Sequence, residues 1–138
     1  KGPISHTQML KDIPKGFPAL IRAQKVQRKA SMVGFDWDRA EDAFKKLEEE
    51  IAELKEVYLE DKEAALDELG DVLFATVNVA RFLGLEPELA LDSTTEKFID
   101  RFEYIEKNAD RQMENMSLEE MDELWNSAKV LFSKGSEV

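Results

Sequence analysis

Two groups of carboxylates stand at spacings that suit shared chemistry. Glu49, Glu50 and Glu53 lie in EEIAE, and Glu68 and Asp71 lie in ELGD. Residues three apart share one face of an α-helix, so Glu50/Glu53 and Glu68/Asp71 each form a facing pair. A polar break at Glu60-Asp61-Lys62 separates the groups and is short enough to fold the two segments back on each other. Antiparallel packing would then bring both pairs into one carboxylate-lined site. Such a cluster repels itself unless cations occupy it, and hard oxygen donors in this number suit Mg²⁺, with Mn²⁺ as a substitute.

The segments that must position these acids read as helices. Asp38 and Glu41 have capping-box spacing. Phe44, Leu47, Ile51, Leu54 and Tyr58 then repeat at helical intervals, an apolar stripe predicted to face the core. At roughly 100° per residue, Glu50 falls on the flank of that stripe, Glu53 further round the same side, and Glu49 points away. Taken alone, these acids read as a solvated face. A second helix is predicted over 62–83, with Leu66, Leu69, Leu73, Val77 and Ala80 as its main stripe. Beyond Asp71 it is apolar almost all round, which marks a helix packed on several sides. Glu68 and Asp71 are therefore expected on a face that also packs against protein, where unpaired carboxylates protonate or find a cation. Small neighbours, Ala64, Gly70 and Ala75, leave room for an ion and its waters.

The rest of the chain adds helices and a few cations. Residues 1–16 hold Gly2, Pro3, Pro14 and Gly16 and read as a tail or linker, with the only histidine, His6. Pro18 can open a helix that Gly34 ends. It carries Leu20, Ala23, Gln27 and Ala30 on one face, and it is the only clearly basic stretch, with Arg22, Lys25, Arg28 and Lys29. Those cations are either a solvated surface or phosphate contacts, and both readings stay open. After Gly84, a helix with Leu91, Phe98, Phe102 and Ile105 carries the i,i+4 pair Lys97 and Arg101. That pair suits phosphate oxygens, or equally neutralises Glu96, Asp100 or Glu103. Residues 110–115 read as a loop. Ser117 and Glu120 form a capping box opening a last helix, with Leu118, Met121, Leu124, Trp125, Ala128 and Phe132 apolar and Lys129 one turn beyond Trp125. A Trp at helical spacing is more often core than ligand contact. With no convincing strands and no repeats, the fold expected is all-α, an antiparallel helical bundle over 17–132 with a C-terminal tail over 133–138.

Composition narrows the partners. The 138 residues suit one domain, and 43% hydrophobic content supports a packed core despite 36% charged residues. A net charge of −11 argues against general binding to nucleic acid or anionic membrane. It leaves open a nucleotide held through metal and a few local cations. There is no cysteine, hence no disulfide, thiol nucleophile or zinc–thiolate site. No apolar run reaches membrane-spanning length and no signal pattern opens the chain, which fits a cytoplasmic location. A chain that opens at Lys1 rather than Met is expected to be a piece of a longer protein or a processed product.

The pattern E-E-x-x-E … E-x-x-D resembles the MazG-type nucleoside triphosphate pyrophosphohydrolases, part of the all-α NTP pyrophosphohydrolase superfamily. LIRAQKVQ, VGFDW, ELGDVLFATVNVARFLG, EKFIDRF and DELWNSAK share the likeness, which covers roughly residues 16–129. The resemblance implies an enzyme that cleaves nucleoside triphosphates between the α and β phosphates, giving monophosphate and pyrophosphate. It implies Mg²⁺ bound by Glu50, Glu53, Glu68 and Asp71, with Glu49 in the motif but outward-facing. It implies phosphate contacts from Lys97 and Arg101, and nucleotide contacts from Trp125 and Lys129. Protomers of the family associate, commonly as homodimers, and some are fused to a tetrapyrrole methylase domain. Where family members are often richer in Arg, this chain has Ile99 and Asp100. Trp37, Trp125 and Asn78 are candidates for contact with the base.

The chemistry expected is direct attack on phosphorus by a metal-activated water, oriented or deprotonated by Glu53 or Glu50, because no Ser, Cys or His constellation offers a covalent route. Two other readings are weighed. A carboxylate-bridged di-iron bundle generally wants Glu-x-x-His as well as Glu, and no histidine lies near the acids in sequence. A non-catalytic helical module binding nucleotides or partners would release no pyrophosphate from any nucleotide.

Overall fold

The computed structural model describes residues 5–136, with side chains described as far as Phe132. Residues 1–4 and 137–138, the outer ends of the two expected tails, lie outside the described residues. Among the described residues six α-helices follow one another: α1 (His6–Lys11), α2 (Ala19–Met32), α3 (Ala40–Val57), α4 (Lys62–Phe82), α5 (Pro87–Asn108) and α6 (Leu118–Ser136). No strand occurs among the described residues, so the all-α expectation holds. Two compact units divide between Ala90 and Leu91.

Helix ends follow local chemistry. The stretch read as an N-terminal tail contains α1, capped by Ser5 Oγ, which accepts from Gln8 N at 3.3 Å, and it buries Ile13. Six residues are too few to show a period, so only the cap announced it. Gly34 (φ 91°) and Gly84 (φ 70°) end α2 and α4 in the left-handed region that glycine adopts without a Cβ penalty. After each, the chain folds back in the same way: Phe35 N donates to Ala30 O at 3.1 Å and Leu85 N to Ala80 O at 2.9 Å. The expected Asp38–Glu41 capping box does not form. Arg39 is the N-cap of α3 and no side chain caps it. Asp61, within the expected polar break, caps α4 by accepting from Glu63 N and Ala64 N.

In the first unit α3 packs along α4, α2 lies on α4, and α1 lies on α2. The buried apolar side chains are Ile13, Ala43, Ala75, Val77 and Val79. Most of the predicted core stripes are not among them. Phe44 and Ile51 on α3, Tyr58 at its C-cap, and Leu66, Leu69 and Leu73 on α4 are exposed, Leu66 to 71%. Periodicity finds an apolar face but does not say whether the same chain covers it.

In the second unit Ile105 and Ala128 are buried, while the other predicted stripe residues of α5, Leu91, Phe98 and Phe102, are exposed. The loop before α6 contains a 3₁₀ turn, Met113–Asn115. The capping box here is as expected: Glu120 N donates to Ser117 Oγ at 3.1 Å and Ser117 N to Glu120 Oε1 at 3.0 Å. Arg111 Nη2 adds contacts of 2.5 and 2.6 Å to the Glu120 carboxylate. That guanidinium, with the Ser117 donors, holds the Glu120 pKa down at about 2. α6 continues to Ser136, into the stretch read as a tail.

Candidate metal centre

The α3–α4 hairpin brings Glu50 and Glu53 of one helix against Glu68 of the other, with a carboxylate oxygen of each within 4.8 Å of the others. A second group on the same terms joins Asp67, Glu68 and Asp71. Glu68 belongs to both, so it links the four acids singled out by spacing. Asp67 was not among them; next to Glu68 in sequence, it sits outside the i,i+3 pattern. Glu49 is in neither group, and its side chain is 66% exposed.

Burial within the cluster departs from the sequence expectation at Asp71. Glu50, on the flank able to meet a neighbouring helix, is buried at 5% exposure, whereas Asp71, expected on a packed face, is exposed and Glu68 half-buried. The hairpin contact buries Glu50: the α3 face turned toward α4 carries Ala43 and Glu50, both buried, rather than the Phe44–Ile51–Tyr58 stripe. A buried carboxylate needs a cation. Lys46, one turn back, gives Nζ to Glu50 Oε1 at 2.8 Å and lies 3.8 Å from Glu49. Lys46 was overlooked in the sequence, although its i,i+4 spacing to Glu50 was the available signal.

Lys46 holds the Glu50 carboxyl below its ordinary range, against the effect of burial. The Glu53 carboxyl is pushed up, first by its hydrogen bond with Glu50 and then by that residue's charge, with Glu68 adding to the effect. Glu50 Oε2 and Glu68 Oε2 are buried without a hydrogen-bond partner. Oxygen-only donors, two of them unpartnered, fit a hard divalent cation and offer none of the histidines expected of a di-iron bundle.

Beside the acids lies a cavity of about 490 Å³, lined among others by Phe35, Trp37, Phe74, Asn78, Lys46, Glu50 and Asp71. Its rim is tied down by a pair no spacing rule would find, because its members are far apart in sequence. Arg81 Nη1 and Nη2 donate to the two Asp36 carboxylate oxygens at 2.9 and 2.6 Å, and Nη2 also donates to Asn78 Oδ1 at 2.9 Å. This fork anchors the GFDW loop to α4 and holds the Asp36 pKa low. Trp37 and Asn78, both singled out in the sequence, line this cavity. Lys25 does not: its Nζ stands 4.9 Å over the Phe17 ring, in a separate basic hollow with Arg28 and Lys29.

The remaining candidates belong to the second unit. There Arg101 lies 5.3 Å over the Trp125 ring, which also meets Phe98 at 5.4 Å, and Lys97 and Lys129 are exposed. Trp125 is thus half-buried in packing within its own unit, and Arg101 Nε is buried without a partner.

Comparison with known proteins fits this geometry. Residues 39–106, which include all the clustered acids, match the family described as the MazG nucleotide pyrophosphohydrolase domain. The chain is 43% identical over 115 residues to "Nucleoside triphosphate pyrophosphohydrolase/pyrophosphatase MazG" of Thermotoga maritima, covering 81% of this chain and 44% of that protein. It is 43% identical over 129 residues to "Nucleoside triphosphate pyrophosphohydrolase" of Escherichia coli K12, covering 87% and 48%. An uncharacterized Bacillus subtilis protein, YabN, is 57% identical over 65 residues, 45% of this chain and 13% of that one. The chain spans about half the length of the first two.

Proposed function

This chain belongs to the MazG family through its residues 39–106, and from that premise we propose that it is a metal-dependent nucleoside triphosphate pyrophosphohydrolase. The reaction assigned is hydrolysis of an NTP or dNTP between the α and β phosphates to the monophosphate and pyrophosphate. The observation that carries this reading is the convergence of Glu50, Glu53 and Glu68, two of them with buried, partnerless oxygens, beside a cavity of ligand size.

Glu50, Glu53, Glu68 and Asp71 would hold the cation, with Mg²⁺ the choice that suits carboxylate oxygens and a triphosphate. When bound, such an ion neutralises phosphate charge and lowers the pKa of water. Glu53 would take the proton of the attacking water. It is exposed at the edge of the cluster, where a water can reach it. Glu50, buried and tied to Lys46, is better suited to orient than to exchange protons. Lys97, Arg101 and Lys129 are retained as phosphate contacts and Trp125 as a nucleotide contact on the family resemblance and their chemistry. No described helix is long and apolar enough to cross a membrane, and a nucleotide substrate fits a cytoplasmic location.

The test is pyrophosphate release from a panel of NTPs and dNTPs with Mg²⁺. Release from at least one, abolished by a chelator, is expected; release from none would favour a non-catalytic module.

Association belongs to the same proposal. Phe44, Ile51 and Tyr58 together with Leu66, Leu69 and Leu73 are large apolar side chains left exposed, and a second copy would cover them. Sedimentation equilibrium is expected to give a homodimer or larger assembly, and Leu66→Lys with Leu73→Lys to shift it toward monomer. A monomeric wild-type chain would overturn this.

A further inference from the structure

The polar groups around the cavity beside the acids are largely committed to one another. Arg81 is held by Asp36 and Asn78, and Lys46 by Glu50. Gln27 differs. It is 5% exposed, it lines the cavity, and its Nε2 donates to Phe74 O at 2.9 Å, while its Oε1 is buried with no partner. The carbonyl fixes which end is which, because only the amide NH₂ can donate to it. Gln27 therefore carries a hydrogen-bond acceptor whose need is unmet, and such atoms are rare in folded proteins because leaving them unpaired is costly. Its place on α2 among Leu20, Ala23 and Ala30 made it look like an ordinary member of an apolar face.

Other features of the cavity favour a flat, edge-polar ligand. Phe35, Trp37 and Phe74 bring aromatic rings to it. Asn78 Oδ1 already accepts from Arg81, and the Asn78 NH₂ is a further donor at the cavity. An acceptor and a donor among aromatic rings match the edge of a nucleobase. We infer that the cavity takes the substrate's base and that Gln27 Oε1 accepts a hydrogen bond from the exocyclic amino group of adenine or cytosine, so that Gln27 selects bases carrying that donor. This rests on the pyrophosphohydrolase reading for the substrate class and adds the residue that reads it.

The test pairs ATP with purine riboside 5′-triphosphate, which lacks the amino group, and CTP with its 2-pyrimidinone counterpart. Each pair is measured twice: by pyrophosphate release with Mg²⁺, and by calorimetric binding with Ca²⁺ in place of Mg²⁺. For at least one pair, wild type is expected to favour the amino-bearing nucleotide by roughly tenfold or more in kcat/KM and in Kd, since a site built around a hydrogen bond rejects the analogue that cannot make it. Gln27→Leu is expected to shrink that gap to about twofold or less, chiefly through KM. Wild type that treats both members of each pair alike overturns the inference without any variant. A folded Gln27→Leu protein that keeps the gap also overturns it. Discrimination in binding with no turnover would sink the enzyme reading and keep Gln27 as the base reader. Turnover without discrimination would do the reverse, and neither binding nor turnover would sink both.

Discussion

Glu53→Gln is expected to lower kcat for pyrophosphate release by roughly 10²- to 10⁴-fold, the range associated with loss of a positioned general base. The fold should survive, because Glu53 is exposed. The metal-free variant should even be more stable than wild type near neutral pH, since the substitution removes a charge that Glu50 and Glu68 oppose. The sign follows from linkage. A carboxyl whose folded pKa is raised binds more protons in the folded state, so stability falls as pH rises from the ordinary Glu range through the raised value. Thermal melts in chelator across about pH 4 to 7 should show that fall in wild type and a weaker one in Glu53→Gln. Glu50 works in the opposite direction, because its lowered pKa contributes stability that is lost on acidification. The difference between the two curves therefore isolates chiefly Glu53. Near wild-type turnover in the variant would remove Glu53 from the chemistry.

Glu68→Gln should have the largest effect on metal. Glu68 is the one carboxylate common to both acidic groups, and its Oε2 is buried without a partner. A cation bound only by the folded state raises stability by about 2.7 kcal/mol at one hundred times its Kd. Wild type is thus expected to show a rise in Tm with increasing Mg²⁺. The variant should require roughly ten- to hundredfold more Mg²⁺ for the same rise, or show none. Since the readout is stability, it separates metal binding from turnover. An unchanged Mg²⁺ dependence would mean that the cation, if it binds, does so elsewhere.

The hairpin and its facing acids were legible because they depend on short-range rules. The i,i+3 spacing put Glu50 with Glu53 and Glu68 with Asp71, and the break at 60–62 was too short for anything but a return. Gly34, Gly84 and the Ser117–Glu120 box marked helix ends for the same reason. What depended on packing was read less well. Asp71 was expected on a packed face and is exposed, because helical phase alone does not say how far a neighbour covers that face. The Phe44–Ile51–Tyr58 stripe was recognised as apolar and then assigned to the chain's own core, whereas it is exposed. Asp36 with Arg81, and Gln27 with Phe74, join positions far apart in sequence, and no local pattern relates them. Lys46 is the exception, since its distance from Glu50 follows the same helical rule that found the acids.

The central claim is that water cleaves the α–β anhydride of a nucleoside triphosphate at the Glu50–Glu53–Glu68 cluster. The most direct measurement is turnover of the preferred nucleotide from the panel in ¹⁸O-labelled water with Mg²⁺, with products followed by ³¹P NMR and mass spectrometry. The account predicts monophosphate and pyrophosphate in equal amounts, with label from water in only one of the two. Diphosphate with inorganic phosphate, or no product from any nucleotide tested, would contradict it.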